Sequence, residues 1–381
     1  IDDIQWVGNV EIHVNASDWF RHHHDKDRIY DSVMLHVVAI DDARIVRGDG
    51  SEIPQASITF PKEFYNIYSL LSENIKDVRC RLYLSGIDSI TAEDWISSLA
   101  VERMQQKAGR ILEILGQNQG DWGRTCFITF ARALGFGLNS EPFELLGRSL
   151  SLNYLGRHSD NLFQLEALLF GQAGMLDMSN HIFDEYYQGL CREYYFLARK
   201  YSLRPMRGEM WKYSRTRPGN FPHRRIALLA QYLYGGFSLL SDIVEAGGDE
   251  ERSRELFAMD LDGYWLTHSA FGADSGRAPG RLSESSVDLL LINLVAPLLY
   301  AHSASVGDIE KSEEAFSLWT DLPPENNRYI KQWKQWGFRC DDAMHSQGLL
   351  QLHRNYCDEG KCLECRFGHS LLRKSVKLKN S

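Results

Sequence analysis

Residues 8–13 read GNVEIH, residues 19–27 read WFRHHHDKD, and residues 33–40 read VMLHVVAI. The first and third stretches are rich in Val, Ile and Leu, a composition typical of strands, and the stretch between them predicts a short helix. This order predicts a small α/β head in which two parallel strands are joined by a helical crossover.

Glu11 and His13 are two residues apart, so they point to the same face of the first predicted strand. A carboxylate in an apolar strand costs on the order of several kcal/mol unless it is paired or bound to a metal. Ten Glu, Asp or His residues lie between positions 11 and 36. We interpret the cluster as a metal site; the alternative is a solvated helix face for HHHDKD and a core histidine at His36.

Two chemistries fit this cluster. The first is metal-dependent phosphodiester hydrolysis of the PD-(D/E)XK kind, in which Glu11 holds Mg²⁺ or Mn²⁺ and His13 takes the place of the basic residue. The second is a transition-metal site made of His22, His24 and either Asp27 or Glu11. The predicted catalytic residues are Glu11, His13, His22, His24 and Asp27.

From Pro61 onward the apolar residues recur with the period of an α-helix. Thr91 is predicted to cap a long helix, and residues 223–247 are predicted to form a single helical run. The sequence therefore predicts an α+β, mostly α protein. Its predicted parts are an α/β core (1–60), a helical body (61–339) and a C-terminal helix with a cysteine motif (340–381).

The bulk composition limits the class of protein. The 381 residues are 44% hydrophobic and 24% charged, with a net charge of −9, which argues against a chain that coats nucleic acid over its whole surface. Seven cysteines, an odd number, favour reduced thiols in a cytoplasmic protein, and we expect no membrane-spanning helix. Because the chain starts at Ile1, directly before a predicted strand, we expect an upstream segment.

The head, WVGNVEIHVNASDWFRHHHDKDRIYDSVMLHVV, resembles an uncharacterised bacterial family, the domain-of-unknown-function family 2851. Further blocks that resemble it are LAVERMQQKAGRI, DNLFQLEALLFGQAGML, RTRPGNFPHRRIALLAQ, HSQGLLQLHRNYC and KCLECRFGHSLL. The resemblance implies an N-terminal segment with a Gly-Pro-Asp-Phe stretch before Ile1. Its Asp would supply the first metal carboxylate of a restriction-endonuclease-like head that is truncated in this chain.

Residues 192–225 hold ten Lys or Arg against two Glu, with Tyr and Trp interleaved. Such a segment is typical of a nucleic-acid groove, although its arginines could instead pair with acids of the same body, Glu166 first among them. The predicted nucleic-acid-binding residues are Arg204, Arg207, Lys212, Arg215, Arg217, Arg224 and Arg225.

The spacing Cys357-x4-Cys362-x2-Cys365 predicts a zinc ion or an iron–sulfur cluster. Cys340 is the first candidate for a fourth ligand, followed by His345, His353 and His369. The alternative is a group of reduced cysteines that pack a terminal helical turn.

Taken together, these patterns predict a divalent-metal-dependent nuclease, or an inactive descendant that still binds nucleic acid. Two other classes stay open: a non-enzymatic scaffold or binding protein, and a His/carboxylate metalloenzyme that acts on a small molecule.

Overall fold

The structure is a computed structural model that describes residues 7–73, 78–179, 184–214, 216, 220–261, 263–274, 276 and 279–377. The chain divides into two compact units. The first consists of Ile1–Ile87 with Gly360–Ser381, and the second of Asp88–Glu359. This division differs from the predicted boundaries at residues 60 and 339, because the segment that follows residue 60 and the C-terminal segment belong with the head.

The first unit contains a three-stranded parallel sheet of β1 (Asn9–Asn15), β2 (Val33–Ile40) and β3 (Gln55–Ser57), in that order. Between β1 and β2 lie α1 (Asp18–Arg21) and two 3-10 turns, His24–Lys26 and Arg28–Ser32. Glu11 pairs in register with His36, which confirms the predicted parallel pairing. The small core under the sheet consists of Ala16, Trp19, Val33, Val38, Ile45 and Ile53.

The first unit continues with α2 (Lys62–Ser72) and a 3-10 turn, Arg81–Gly86. The helices of the second unit follow. They are α3 (Ser89–Gln117), α4 (Trp122–Leu134), α5 (Ser140–Ser149), α6 (Leu152–Gly156), α7 (Leu162–Gln172), α8 (Glu185–Tyr201), α9 (Pro222–Leu233), α10 (Leu239–Ala246), α11 (Glu250–Glu255), α12 (Glu284–Leu290), α13 (Ala296–Val306), α14 (Ile309–Asp321), α15 (Arg328–Gln335) and α16 (Ala343–Gln351). A short hairpin of β4 (His268–Ala270) and β5 (Ala273–Asp274) lies in the loop before α12. The chain is thus mostly helical with a small parallel sheet, as predicted.

Two helix boundaries differ from the sequence prediction. Asp88, not Thr91, caps α3, because its Oδ1 accepts a hydrogen bond from the Thr91 backbone N–H at 2.8 Å. The predicted run 223–247 is two helices, α9 and α10. Gly235 and Gly236, with φ of 87° and 112°, lie between them in a backbone region that side chains other than glycine rarely adopt.

Two π-helical segments extend α-helices of the second unit: Leu291–Val295 joins α12 to α13, and Leu352–Cys357 follows α16. The continuous helix Glu284–Val306 is long and apolar enough to cross a membrane, which the sequence analysis did not anticipate. Its most apolar window is 61% buried inside the second unit, so the helix also has the character of a core helix.

After the second unit the chain returns to the first. The last helix, α17 (Arg366–Lys377), packs against α2 and against the turn Arg81–Gly86. The Lys374 ammonium group donates to the carbonyl of Gly86 at the end of that turn. These contacts place the last two cysteines, Cys362 and Cys365, in the same compact unit as the sheet.

Candidate metal centre

The strand β1 turns its polar side chains inward and its apolar ones outward. Glu11 and His13 lie half-buried on one face, whereas Val10, Ile12 and Val14 on the other face are 50%, 70% and 65% exposed. Because side chains alternate along a strand, this inversion places a carboxylate and an imidazole together beside β2. The strand therefore presents polar ligands where a strand usually presents its core residues.

Three imidazoles converge above β1. One nitrogen of His13, one of His22 and one of His24 all lie within 4.8 Å of one another. His13 Nε2 is 3.2 Å from His22 Nδ1, and the ring of His24 stacks on that of His13 with centroids 5.3 Å apart. The three rings come from β1, from the end of α1 and from the first 3-10 turn.

His23 makes this convergence possible without taking part in it. Its φ of 62° is left-handed, so the chain leaves α1 at His22 and re-enters a helical turn at His24. A regular helix would turn residues two apart to different sides. The side chain of His23 itself is exposed to solvent.

Glu11 lies beside two of the three rings. Its Oε1 is 3.8 Å from His13 Nε2 and 4.0 Å from His24 Nε2. Two atoms bound to one ion at about 2.0–2.2 Å lie at most about 4.4 Å apart, so an ion bound to these nitrogens would lie close to the Glu11 carboxylate. Asp27, predicted with them, has another role: its Oδ1 accepts from the Ile29 backbone N–H at 3.0 Å and caps the turn Arg28–Ser32.

A chain of hydrogen bonds behind the cluster fixes the orientation of His13. Gln55 donates its amide N–H groups to Asp41 Oδ1 and to the Ala43 carbonyl, so its Oε1 faces His36 Nδ1 at 2.9 Å. His36, fully buried, then accepts at Nε2 from His13 Nδ1 at 2.8 Å. In this arrangement His13 Nε2 carries no proton and points its lone pair toward His22.

The local environment keeps His13 neutral. Burial, and after it the neighbouring His36, lower the pKa of His13 below 6.5, although Glu11 acts in the opposite direction. A neutral imidazole with an orienting hydrogen bond on its second nitrogen is the form that binds metal. The fully buried Trp19 contacts the rings of His13, His24 and His36 edge-on and limits their rotation.

The donor set differs from the one that the nuclease interpretation predicted. Imidazole nitrogens suit Zn²⁺ and other transition metals, whereas Mg²⁺ prefers oxygen ligands. Three imidazoles would therefore suit Zn²⁺ or Mn²⁺ better than Mg²⁺, and the Glu11 carboxylate lies beside two of them. The sequence did not reveal that His36 orients His13, because only the register of β1 on β2 brings the two residues together.

The structure separates the predicted nucleic-acid-binding residues into three groups. Arg204, Arg207 and Lys212 are exposed, and Arg215 and Arg217 lie outside the described residues. Arg224 and Arg225 are buried and correct the prediction. The Arg224 guanidinium donates to the carbonyls of Trp265 and Pro279, and that of Arg225 donates to Asn220 Oδ1 and lies over the Phe136 ring, so neither can reach a phosphate.

Glu166, the predicted arginine partner, is buried and accepts from the Trp265 indole at 2.8 Å and from the Tyr186 hydroxyl. Two predicted aromatic platforms, Tyr194 and Trp211, are also buried in the core. Tyr195 and Phe196, by contrast, are 57% and 62% exposed on α8.

The cysteine motif is divided between the two units. Cys340 and Cys357 belong to the second unit, and Cys362 and Cys365 to the first, and all four are buried. The predicted set does not appear among the groups of three ligand atoms within 4.8 Å in the described part of the chain. His345 bonds to Asp342 at 2.8 Å and Glu93 at 3.1 Å, His353 lies 3.6 Å from Asp358, and the side chain of His369 is exposed.

These features define a mostly α-helical α+β protein whose small parallel sheet carries a histidine cluster. The chain belongs to the family described as Protein of unknown function (DUF2851), whose model matches residues 1–328. No curated protein matches the chain. No solved structure matches it either. The predicted family is thereby confirmed, and the nuclease-like head stays a prediction.

Proposed function

We propose that the first unit is a metal-dependent hydrolase centre that cleaves phosphodiester bonds in nucleic acid. The observation that carries the proposal is the approach of one nitrogen each from His13, His22 and His24 to within 4.8 Å. Glu11, with a side chain 30% exposed, lies beside them on the same strand. Three imidazoles with a partly exposed carboxylate leave room for a water ligand, as catalytic metal sites do.

The side chains of the centre have distinct parts in this proposal. The bound ion, Zn²⁺ or Mn²⁺, would lower the pKa of a water molecule and polarise a phosphoryl oxygen. Glu11 would take the proton of the attacking water, since its carboxylate lies near two ligand nitrogens and still reaches solvent. His36 and Gln55 would hold His13 in the tautomer that presents Nε2.

A stripe on α8 supports nucleic acid as the substrate class. Five exposed residues at helical spacing, three or four apart, form this α8 stripe: Arg192, Tyr195, Phe196, Arg199 and Lys200. The Arg199 guanidinium lies over the Tyr195 ring at 5.8 Å. Cations that meet phosphates beside rings that stack on bases are the means by which single strands are bound without sequence preference.

A metal-binding experiment with a matched control tests the centre. We expect calorimetry with Mn²⁺, which thiols bind weakly, to show one site in the full chain, with affinity reduced about 100-fold or more in His22→Ala, because each ligand contributes strongly to affinity. The control is His23→Asn, since Asn tolerates the left-handed backbone and His23 contributes no ligand. Equal metal affinity in His22→Ala and His23→Asn would show that the metal does not bind at the three imidazoles.

An activity experiment tests the reaction. Labelled single-stranded and duplex DNA and RNA are incubated with Mn²⁺, Zn²⁺ or Mg²⁺, and we expect cleavage with Mn²⁺ or Zn²⁺. Glu11→Gln should keep the metal and lose cleavage. If the metal binds and no nucleic acid is cleaved, the small-molecule metalloenzyme replaces the nuclease; if no metal binds, the scaffold alternative replaces both.

A further inference from the structure

A second group of metal-ligand side chains lies in the first unit, away from the imidazoles in the sequence. Arg79, just before the turn Arg81–Gly86, contacts the segment that precedes α17. Arg79 Nη1 donates to the carbonyls of Leu71 at 2.8 Å and Gly360 at 3.1 Å, and lies 3.8 Å from Cys362 Sγ. These contacts bring the next residue, Cys80, to the Cys362-x-x-Cys365 turn.

Each of the three thiols is buried in the first unit. Cys80, Cys362 and Cys365 are each at most 7% exposed. Burial, and then the adjacent Cys365 and Cys362, raise the pKa of Cys80 to about 12, since thiolates this close would repel one another.

The local backbone suits a metal-binding turn. The Cys365 N–H donates to the Cys362 carbonyl at 3.3 Å, so the two thiols leave the same tight turn at the start of α17. A Cβ on Gly368 would lie 2.0 Å from the Cys362 carbonyl oxygen, so only glycine fits behind the turn.

We propose that Cys80, Cys362 and Cys365 bind a thiophilic metal, zinc or the iron of an iron–sulfur cluster, as a structural site of the first unit. Cys80 thus joins Cys362 and Cys365 in place of the predicted Cys340 and Cys357. The described thiols are less closely drawn together than the three imidazoles. Rotation of the thiol side chains would have to bring each sulfur to about 2.3 Å from a shared ion, and each proton would leave to solvent as its sulfur binds.

The experiment uses the full chain with His13, His22 and His24 all changed to Ala, so that the imidazoles hold no metal. The protein is kept reduced and anaerobic, and zinc and iron are measured by elemental analysis. We expect the triple His→Ala chain to retain enough metal to fill about one site. We expect this metal to be lost when Cys80→Ser is added. Cys340→Ser, a buried thiol of the second unit, is the control and should retain it.

A spectroscopic measurement on the unsubstituted chain covers the case in which Cys80→Ser fails to fold. Cobalt substitution should give sulfur-to-cobalt charge-transfer bands, which imidazole and carboxylate ligands do not produce. Full metal content in folded Cys80→Ser, or the absence of such bands, would overturn the proposal. Neither result depends on the histidine centre, so the two sites stand or fall separately.

Discussion

His223 is an imidazole held in an aromatic pocket of the second unit. It lies between the rings of Phe271, Tyr213 and Phe170, at centroid distances of 5.2, 5.8 and 6.1 Å. In the described part of the chain its buried Nδ1 has no hydrogen-bond partner. Burial lowers its pKa from 6.5 to about 4, so it stays neutral in the folded protein under conditions that would protonate it in the unfolded chain.

This pKa makes stability depend on pH. Above pH 6.5 His223 is neutral in both the folded and the unfolded state, so it has no effect on the free energy of unfolding. Below pH 6.5 His223 binds a proton in the unfolded chain and stays neutral in the folded protein. We therefore expect the wild type to lose about 3 kcal/mol of unfolding free energy relative to His223→Phe between pH 7 and pH 4. Denaturant titrations of both proteins at each pH measure it. If the free energies of unfolding of the two proteins changed in parallel between pH 7 and pH 4, the low pKa of His223 would be contradicted.

Side-chain identity and spacing predicted part of the histidine cluster. Glu11 and His13 share a face because a strand has a period of two, and this follows from the sequence alone. His22 and His24 converge only because His23 adopts a left-handed φ. That conformation is uncommon for residues other than glycine, so the sequence HHH does not predict it. Asp27 was assigned to the same cluster, yet the local turn uses its carboxylate as a cap.

The helices α3 and α16 form one of the closest helix pairs in the second unit. The backbone at Gly348 approaches Ile96 so closely that an added Cβ would lie 2.2 Å from the Ile96 carbonyl oxygen. Arg103 on α3 donates to Gln347 Oε1 at 2.9 Å and Gln351 Oε1 at 3.3 Å on α16, so a buried charge is satisfied across the same interface. A close approach and a buried polar network together fix how these helices pack.

Two glycine-to-alanine changes should therefore have opposite effects. Gly348→Ala has to push α16 away from α3, and we expect it to cost roughly 2 kcal/mol or more, even after the gain in helix propensity. Gly109→Ala, in α3 with nothing within 4 Å of its added Cβ, should stabilise by about 0.5–1 kcal/mol. Thermal and denaturant unfolding compare them. Stabilisation by both changes would show that the two helices can separate freely.

Helix periodicity predicted most of the second unit, and the apolar residues Trp95, Leu99 and Met104, which recur along α3, are buried. Element boundaries were less predictable, since Asp88 and Thr91 are both plausible caps and only one side chain reaches the free N–H. The division into units could not be predicted either. It depends on α17 returning to α2, a contact between residues far apart in the sequence.

The surface charge of the protein is unevenly distributed. The net charge is −9, yet the α8 stripe presents three cations and two aromatic rings on one helical face. Exposed Arg204 and Arg207 follow directly after the helix. We therefore expect an acidic protein that carries this basic and aromatic surface to bind a single strand there.

Fluorescence anisotropy with a labelled single strand tests this surface at several salt concentrations. Arg199→Gln/Lys200→Gln should weaken binding and reduce the log–log salt slope by about 1.4, as two fewer phosphates are neutralised. Tyr195→Ala/Phe196→Ala should weaken binding about 10-fold or more at an unchanged slope, because stacking releases no counterions. The control, Lys331→Gln/Lys334→Gln, removes the same charge from exposed positions on α15 and should leave the slope unchanged. If that control has the same effect as Arg199→Gln/Lys200→Gln, binding follows net charge alone, and the α8 stripe is not the nucleic-acid site.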